Sequence, residues 1–148
     1  MAFSPDNQKL AIAQSDNIVF IYKLGLEWGE KKSIVNKFAQ NSAVTCMCWP
    51  NERHGDLIIG LAEGKIKQGV LKANKSQSIY GSDSFAVSLS SSPNGQWVCS
   101  GHLDGSILTF NLDTKAKSKI QHTTIPYALA WGSHILAGGN DGKVHFYE

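Results

Sequence analysis

The strongest constraint on the fold of this chain is an internal repeat. Residues 4–17 align without gaps on residues 92–105, at an offset of 88 residues. Both segments contain Ser-Pro, a turn pair, Gln, an apolar run, and an Asp that is followed by Asn or Gly. Related segments follow Trp49-Pro50 and Trp131-Gly132. Such self-similarity predicts a fold built from successive copies of one structural unit.

Short turn signals set the length of the unit. Each copy has an acidic residue followed by Asn or Gly, at Asp16-Asn17, Glu63-Gly64, Asp104-Gly105 and Asp141-Gly142. The second residues of these pairs are spaced by 47, 41 and 37 residues, which brackets the length of a four-stranded propeller blade. Asn and Gly tolerate the positive φ of a tight hairpin, so we expect these eight residues to form structural turns.

Strands are predicted on both sides of each turn. Third strands are expected at residues 18–24, 66–71, 106–112 and 143–147, and more polar fourth strands at 32–38, 76–80 and 115–120. No 11-residue window shows sustained helical spacing of apolar residues, and Pro and Gly interrupt the chain too often for helices. The sequence therefore predicts an all-β fold of four-stranded antiparallel sheets.

The repeat units are expected at about residues 1–39, 40–82, 83–123 and 124–148, within one propeller domain. They are predicted to hold three, four, four and three strands, because the first unit begins at Phe3-Ser4-Pro5 and the last stops at Tyr147-Glu148. Propellers close with 4–8 blades and share one blade between their ends. We therefore expect an arc of about three and a half blades, whose flanks pack on the remaining blades of a larger propeller.

The third strands carry a further pattern. Aligned on the turn, one register of the third strand holds Val19, Ile66, Ile107 and Val144. Three residues later an aromatic residue stands in three of the four copies, at Tyr22, Phe110 and Tyr147. Gly69 occupies that position in the second copy. We expect a thinner contact at Gly69, or a side chain from a neighbouring blade over it.

Composition excludes several classes of protein. The net charge of +2 is too small to favour nucleic acid or an anionic membrane as a partner. Apolar residues make up 42% of the chain, enough for a packed core. The three cysteines do not form a disulfide framework and favour a reducing, cytoplasmic location. No apolar run reaches the length of a membrane span.

Residues able to carry chemistry do not assemble into a motif. The five histidines lack metal-ligand spacing and are interpreted as surface or loop residues: His54, His102, His122, His134 and His145. Cys46 and Cys48 should point to one face of a strand and, like Cys99, are interpreted as small core residues. Neither a phosphate-binding Gly-Lys-Ser/Thr loop nor a Gly-x-Ser-x-Gly elbow occurs. We predict no catalytic residue, no metal and no cofactor.

The densest basic stretch contains Lys65, Lys67, Lys72 and Lys75. Glu63 precedes it, and no aromatic stacking platform accompanies it. We interpret these lysines as a solvated outer strand, the alternative being a contact with nucleic acid or lipid.

One surface is predicted to contact another protein. Loops between third and fourth strands and between first and second strands should open on the same rim of the blades. This places Leu26 and Trp28 of the first unit beside Arg53 and His54 of the next. Trp and Arg frequently anchor interfaces. The alternative is that Trp28 folds back and plugs its own loop.

The unit resembles the WD40 repeat, a family of β-propellers with four-stranded blades. The resemblance rests on segments 3–6, 91–95, 100–105 and 138–142. Where the family ends its third strand with Trp-Asp, this chain has Tyr22-Lys23, Leu112-Asp113 and Tyr147-Glu148.

A narrower resemblance spans nearly the whole chain. Segments 16–24, 44–50, 60–65, 79–84 and 100–105 are similar to the amino-terminal propeller of the large intraflagellar transport complex B subunits of cilia. That resemblance implies a non-enzymatic scaffold required for cilium assembly, with other subunits of a transport train as partners, at the cilium or flagellum and its basal body. The alternative is a WD40 adaptor of another intracellular complex, such as a vesicle coat.

Overall fold

The computed structural model describes residues 2–6, 8–23, 33–50, 55–121, 125–126, 128–131, 135–139 and 144–147. These described ranges contain fifteen β-strands and no helix. Accordingly, no described segment is a helix able to cross a membrane. The all-β prediction is confirmed.

The strands form four antiparallel sheets, in each of which the hydrogen-bonded order follows the chain. The first sheet contains β1 (Ala2–Phe3), β2 (Lys9–Ala13), β3 (Ile18–Lys23) and β4 (Ser33–Ala39). The second contains β5 (Val44–Cys48), β6 (Asp56–Leu61), β7 (Lys65–Val70) and β8 (Lys75–Gly81). The third contains β9 (Ala86–Ser91), β10 (Trp97–His102), β11 (Ser106–Asn111) and β12 (Lys117–Gln121). The fourth contains β13 (Ala128–Trp131), β14 (Ile135–Gly138) and β15 (Val144–Tyr147).

The predicted count of three strands in the first unit is wrong. Ala2 pairs with Ala11, and Phe3 pairs with Leu10, so a two-residue first strand precedes the Ser-Pro turn. The turn closes only after Phe3, where the Ser4 amide donates to the carbonyl of Lys9 at 2.9 Å. Proline, which has no N–H to donate to a sheet, stands beyond that closure at position 5. The first three sheets therefore have four strands each.

Neighbouring sheets pack face to face through apolar clusters. Their buried members between the first and second sheets include Val19, Ile21, Phe38, Leu57, Ile59 and Leu61. Those between the second and third include Ile58, Ile66, Tyr80, Ala86, Val98 and Phe110. Those between the third and fourth are Cys99, Ile107, Ile135 and Ala137. Each such side chain contributes about 1.5–3 kcal/mol on burial, so the contacts between sheets are the main source of stability.

The apolar sequence of strand β6 follows from the packing of both its faces against neighbouring sheets. Leu57, Ile59 and Leu61 face the first sheet, whereas Ile58 faces the third, and all four are fully buried. A strand covered on both faces has no solvent side on which polar residues would be favoured.

The fourth strand of one sheet places an aromatic ring against the third strand of the next. Phe38 pairs with Val19 and Tyr80 with Ile66, so the two rings occupy equivalent positions. Tyr80 stacks on Phe110 with ring centroids 5.1 Å apart.

Phe38 lies over Gly69 instead of over an aromatic ring. A Cβ added to Gly69 would come within 3.0 Å of Cε2 of Phe38. The glycine therefore makes room for the ring that the neighbouring sheet supplies. The expectation that a neighbour's side chain covers Gly69 is confirmed.

A small residue stands at or next to the end of the second strand of every sheet, at one register. These residues pair with Val19, Ile66, Ile107 and Val144 of the third strands, and they are Ala13, Gly60, Gly101 and Gly138. A Cβ on Gly101 would lie 2.7 Å from the carbonyl oxygen of Pro126, just before β13. The small residue thus admits the chain that enters the next sheet.

First strands are also joined by hydroxyl groups. Thr45 donates to the carbonyl of Ala86 at 2.6 Å, and Ser88 donates to the carbonyl of Pro126 at 2.7 Å. Strand β9 accordingly lies beside both β5 and β13. The first strands line one side of the stack, and β4, β8 and β12 line the other.

The contact between Phe38 and Gly69 makes a testable prediction. Gly69→Ala should reduce the free energy of unfolding by about 1–3 kcal/mol, because its Cβ crowds a buried ring. Urea denaturation of the propeller that contains these sheets measures the change. Gly55→Ala is the matched control, since no atom lies within 4 Å of a Cβ there. Equal stability of the two variants would contradict the packing described.

Candidate functional site

The predicted contact residues Leu26, Trp28, Arg53 and His54 lie outside the described residues, so the structure does not place them. The described strands nevertheless show where the two loops leave the sheets. One joins the end of β3 to the start of β4, and the other joins the end of β5 to the start of β6.

Hydrogen bonds tie the two sheets together near these loops. The Asn36 side chain donates to the carbonyl of Leu71 at 2.9 Å, and the Leu71 amide donates to the carbonyl of Gly55 at 2.9 Å. The buried Trp49 donates its indole N–H to the carbonyl of Ala2 at 3.0 Å. Backbone on both sides of the contact between the first and second sheets is thus fixed by side chains of the other sheet.

The turns between second and third strands lie at the opposite end of the sheets. Asn17, Gly64 and Gly105 have φ angles of 67°, 99° and 86°, the left-handed backbone that these connections use. Oδ1 of Asp16 and of Asp104 accepts a hydrogen bond from the amide two residues further on, at 3.2 and 2.9 Å. Two of the turn residues, Asp141 and Gly142, lie outside the described residues.

A tightly packed linker crosses the Glu63-Gly64 turn. A Cβ on Gly64 would overlap the carbonyl oxygens of Ser82 and Ser84, which belong to the segment between β8 and β9. The Ser82 amide donates to the carbonyl of Gly64 at 3.1 Å. Glycine is therefore needed at this turn for two reasons, its φ and the closeness of the linker backbone.

The interpretation of His102 as a surface or loop residue is wrong, because this side chain ends β10 and is fully buried. Its Nδ1 lies 2.9 Å from the carbonyl oxygen of Ser84. A carbonyl only accepts, so Nδ1 carries the proton and donates. Nε2 then accepts from the Ser100 hydroxyl at 2.8 Å. The neutral imidazole has partners on both nitrogens and fastens the linker to the third sheet.

The linker is also bonded to the next turn. The Asp104 amide donates to Oγ of Ser84 at 2.9 Å, and the Ser106 hydroxyl donates to Oδ1 of Asp104 at 2.5 Å. The hydrogen bond from Ser106 lowers the pKa of Asp104. These contacts make the His102 network structural, since every polar partner is already engaged within the fold.

The other histidines remain outside what the structure describes. His54, His122 and His134 lie outside the described residues, and the side chain of His145 in β15 is not described. Within the described residues, no three His, Cys, Asp or Glu side chains gather as metal ligands.

The three thiols are protonated core groups. Cys46 and Cys48 pack on one face of β5, against the cluster between the second and third sheets, and Cys99 is fully buried. Burial raises the pKa of Cys46 to about 11 and that of Cys99 to about 12, and it also raises the pKa of Cys48. Thiols protonated at neutral pH are poor nucleophiles and poor metal ligands.

The basic stretch does not form a single outer strand. Lys65 and Lys67 belong to β7, which pairs on both edges, whereas Lys75 begins the outer strand β8. The Lys65 ammonium lies 4.0 Å from a carboxylate oxygen of Glu63. The interpretation of all four lysines as one outer strand is therefore wrong, because the stretch spans two strands and the turn between them.

Two features of the described surface were not anticipated. Trp97 and Trp131, from the third and fourth sheets, approach with ring centroids 6.5 Å apart beside a groove. Phe85 and Leu103 are exposed neighbours at the turn end of the third sheet, joined by a backbone hydrogen bond of 3.0 Å. The only signal in the sequence was the presence of large apolar residues next to turns, which does not tell an exposed residue from a buried one.

The sequence model of the family described as "WD domain, G-beta repeat" matches residues 73–111. This match runs from the outer strand of the second sheet through the first three strands of the third, so one sequence repeat spans two sheets. The chain therefore contains a WD40 repeat, and its described sheets have the architecture of part of a β-propeller.

Its relatives belong to one group of proteins. The chain is 51% identical to "Intraflagellar transport protein 172" of Chlamydomonas reinhardtii over 100% of its length, and 47% identical to "Intraflagellar transport protein 172 homolog" of Homo sapiens over 99%. It is 42% identical to "Intraflagellar transport protein osm-1" of Caenorhabditis elegans over 99%. The chain spans 9%, 9% and 8% of the length of these three relatives.

Burial of His102 makes stability depend on pH. Burial lowers the pKa of its imidazole below the ordinary 6.5, so the unfolded chain binds a proton at a higher pH than the folded chain does. The free energy of unfolding should therefore fall as the pH drops through 6.5 toward the lower folded pKa. Denaturant titrations of the propeller between pH 7.5 and pH 5 measure this loss, and His102→Gln should make it shallower.

Asp104→Asn is the control for this experiment. The carboxylate of Asp104 titrates below its ordinary pKa of 3.8, and its charge raises the pKa of His102. Its removal should therefore preserve or steepen the slope between pH 5 and pH 7.5, and should not make it shallower. An identical slope in the parent protein and in His102→Gln would show that the buried imidazole is not the titrating group.

Proposed function

We propose that this chain is a non-enzymatic platform for protein–protein contacts in intraflagellar transport. The proposal is carried by the similarity of 42–51% over 99–100% of the chain to proteins named for that process. The structure supports a platform, since sheets stacked through apolar interfaces hold their loops in fixed relative positions. Its buried His and Cys side chains are satisfied or protonated core groups, which is not the arrangement of an active site.

The partners are other protein subunits of an intraflagellar transport train. We place the protein in the cytoplasm, at the cilium or flagellum and its basal body. Nucleic acid and a membrane span have no part in the proposal, because the net charge of +2 is too small to favour nucleic acid and no helix among the described residues could cross a membrane. A fluorescently tagged protein in ciliated cells should concentrate at the basal body and along the cilium. Accumulation on vesicle coats alone would contradict the assignment.

Further blades of the same propeller are a second class of partner. Gly60 and Gly101 admit the chain of the following sheet, whereas a Cβ on Gly138 would meet only Ala128, at 3.8 Å. The exposed side of the fourth sheet also presents Leu136 and Ala130 beside an open groove. No described neighbour requires a small residue at the position of Gly138. The glycine at this position therefore supports a further sheet that packs on this face of the fourth sheet. Within that propeller, units at about 1–39, 40–82, 83–123 and 124–148 remain our proposed division.

Exposed flanks give this proposal a test. The 148-residue chain alone should associate through its uncovered sheet faces and edges, because large apolar patches and unpaired strands promote aggregation. Light scattering and analytical ultracentrifugation measure the association. A monodisperse chain that unfolds cooperatively by itself would contradict the need for further blades.

The loop surface of Leu26, Trp28, Arg53 and His54 remains our proposed contact with a protein partner. Its support is the bonding of the adjacent backbone, where Asn36 and Trp49 hold the first and second sheets together. An interface gains affinity when its anchoring loops start from fixed positions, because less ordering entropy is lost on binding.

Substitution of the two anchors tests this contact. Trp28→Ala combined with Arg53→Ala in the complete propeller should weaken partner binding at least about tenfold, as loss of interface anchors does. Quantitative co-purification from ciliated cells measures binding, and circular dichroism checks folding. The control pair is Lys72→Ala with Ala73→Ser in the exposed β7–β8 turn. Unchanged binding by a folded double variant would remove this surface from consideration.

A further inference from the structure

In the described part of the chain, the outer strand of the third sheet has an edge with no other strand beside residues 117–120. Strand β12 pairs with β11 along one side, and no described strand pairs with its other side. Its side chains are exposed except for Ile120, which is half-buried. A free edge presents unpaired N–H and C=O groups that can bind another extended chain.

One face of β12 is basic. Lys117 and Lys119 lie two residues apart and line a groove of about 260 Å³ between the second and third sheets. Tyr80 and Leu108 form the apolar floor of this groove. Among the described residues, no carboxylate oxygen lies within 4.0 Å of either ammonium nitrogen.

The other face of β12 is apolar. Ser118 and Ile120 line a groove of about 290 Å³ between the third and fourth sheets. Trp97, Trp131, Ile135 and Thr109 complete its lining. Half-buried tryptophans beside an apolar groove have the character of interface anchors.

We propose that the free edge of β12 binds an extended segment of a partner protein in which acidic and apolar residues alternate. Successive side chains of an added strand point to opposite faces of the sheet. Acidic residues would then meet Lys117 and Lys119, while the apolar residues between them enter the groove of Trp97 and Trp131. Backbone pairing supplies affinity, and the two grooves supply specificity.

The two lysines also explain why an acidic strand is the occupant. Lysine on an edge strand discourages pairing with a like strand, because ammonium groups would face one another. The same charges favour a strand that carries carboxylates. This inference rests on the proposed function only in assuming that the chain has protein partners, and its surface is separate from the predicted loop contact.

The test uses the full-length protein that contains this chain and a fluorescent peptide of about nine residues, the length of a long strand. Its residues alternate glutamate and isoleucine. In the first control peptide, the same glutamates stand in one block. The second control peptide carries methyl groups on alternate backbone nitrogens. Fluorescence anisotropy should show binding of the alternating peptide and at least about tenfold weaker binding of both controls.

Variants locate the binding surface. Lys117→Glu with Lys119→Glu should weaken the alternating peptide at least about tenfold, because both exposed side chains would then repel it. Lys72→Glu with Lys75→Glu reverses an equal number of exposed charges, in the β7–β8 turn and at the start of β8, and should leave binding unchanged. Circular dichroism confirms that both variants fold.

Three results would overturn the inference. They are no binding of the alternating peptide, equal binding of the methylated peptide, and equal loss in the two charge-reversed variants. None of them bears on localisation of the tagged protein to the cilium, so failure here is distinguishable from failure of the proposed function.

Discussion

The contact between successive sheets is the interaction on which the rest of the structure depends. Strand β6 has no solvent-exposed face, because Leu57 and Ile59 pack on the first sheet and Ile58 packs on the third. A single sheet of this kind could not remain folded in water, since it would expose apolar surface on both sides. Stability is therefore a property of the stack, as in other repeat proteins. This also explains why Gly60 and Gly101 are small, because larger side chains would hold neighbouring sheets apart.

Polar side chains then fix the positions of the sheets that apolar packing brings together. His102 accomplishes this between the second and third sheets by donating to the carbonyl of Ser84 and accepting from Ser100. Burial of an imidazole without partners would cost several kcal/mol, so its complete hydrogen bonding is required for it to stabilise the fold. Asn36 and Trp49 connect the first and second sheets in a similar way, because each donates a hydrogen bond to a backbone carbonyl. The linkers become rigid because their backbone carbonyls accept these bonds.

Residue patterns predicted the repeated sheets because the constraints on them are local. A tight hairpin needs positive φ, and the glycine at position 64 indicates that requirement in the sequence. The contact at Gly69 was also predictable, since a glycine in place of the aromatic residue of the other copies indicated where a neighbour's side chain packs. The hydrogen-bonded, buried position of His102 was not predictable, because its partners Ser82 and Ser84 stand 20 and 18 residues away and no spacing rule links them. The pairing of Ala2 was missed because two residues are too few to show an alternation.

Interaction surfaces are harder to predict than the core, because they form where units meet. Trp97 and Trp131 belong to different sheets, and only the stacking of those sheets places their rings beside one groove. The basic and apolar faces of β12 likewise depend on both neighbouring sheets, which provide Tyr80 on one side and Ile135 on the other. The stack thus produces a groove at each of the two junctions beside β12, and the side chains of this outer strand set the chemistry of both grooves. Apolar packing holds the sheets in fixed relative positions, and variation along the outer strands would allow the proposed platform to distinguish its partners.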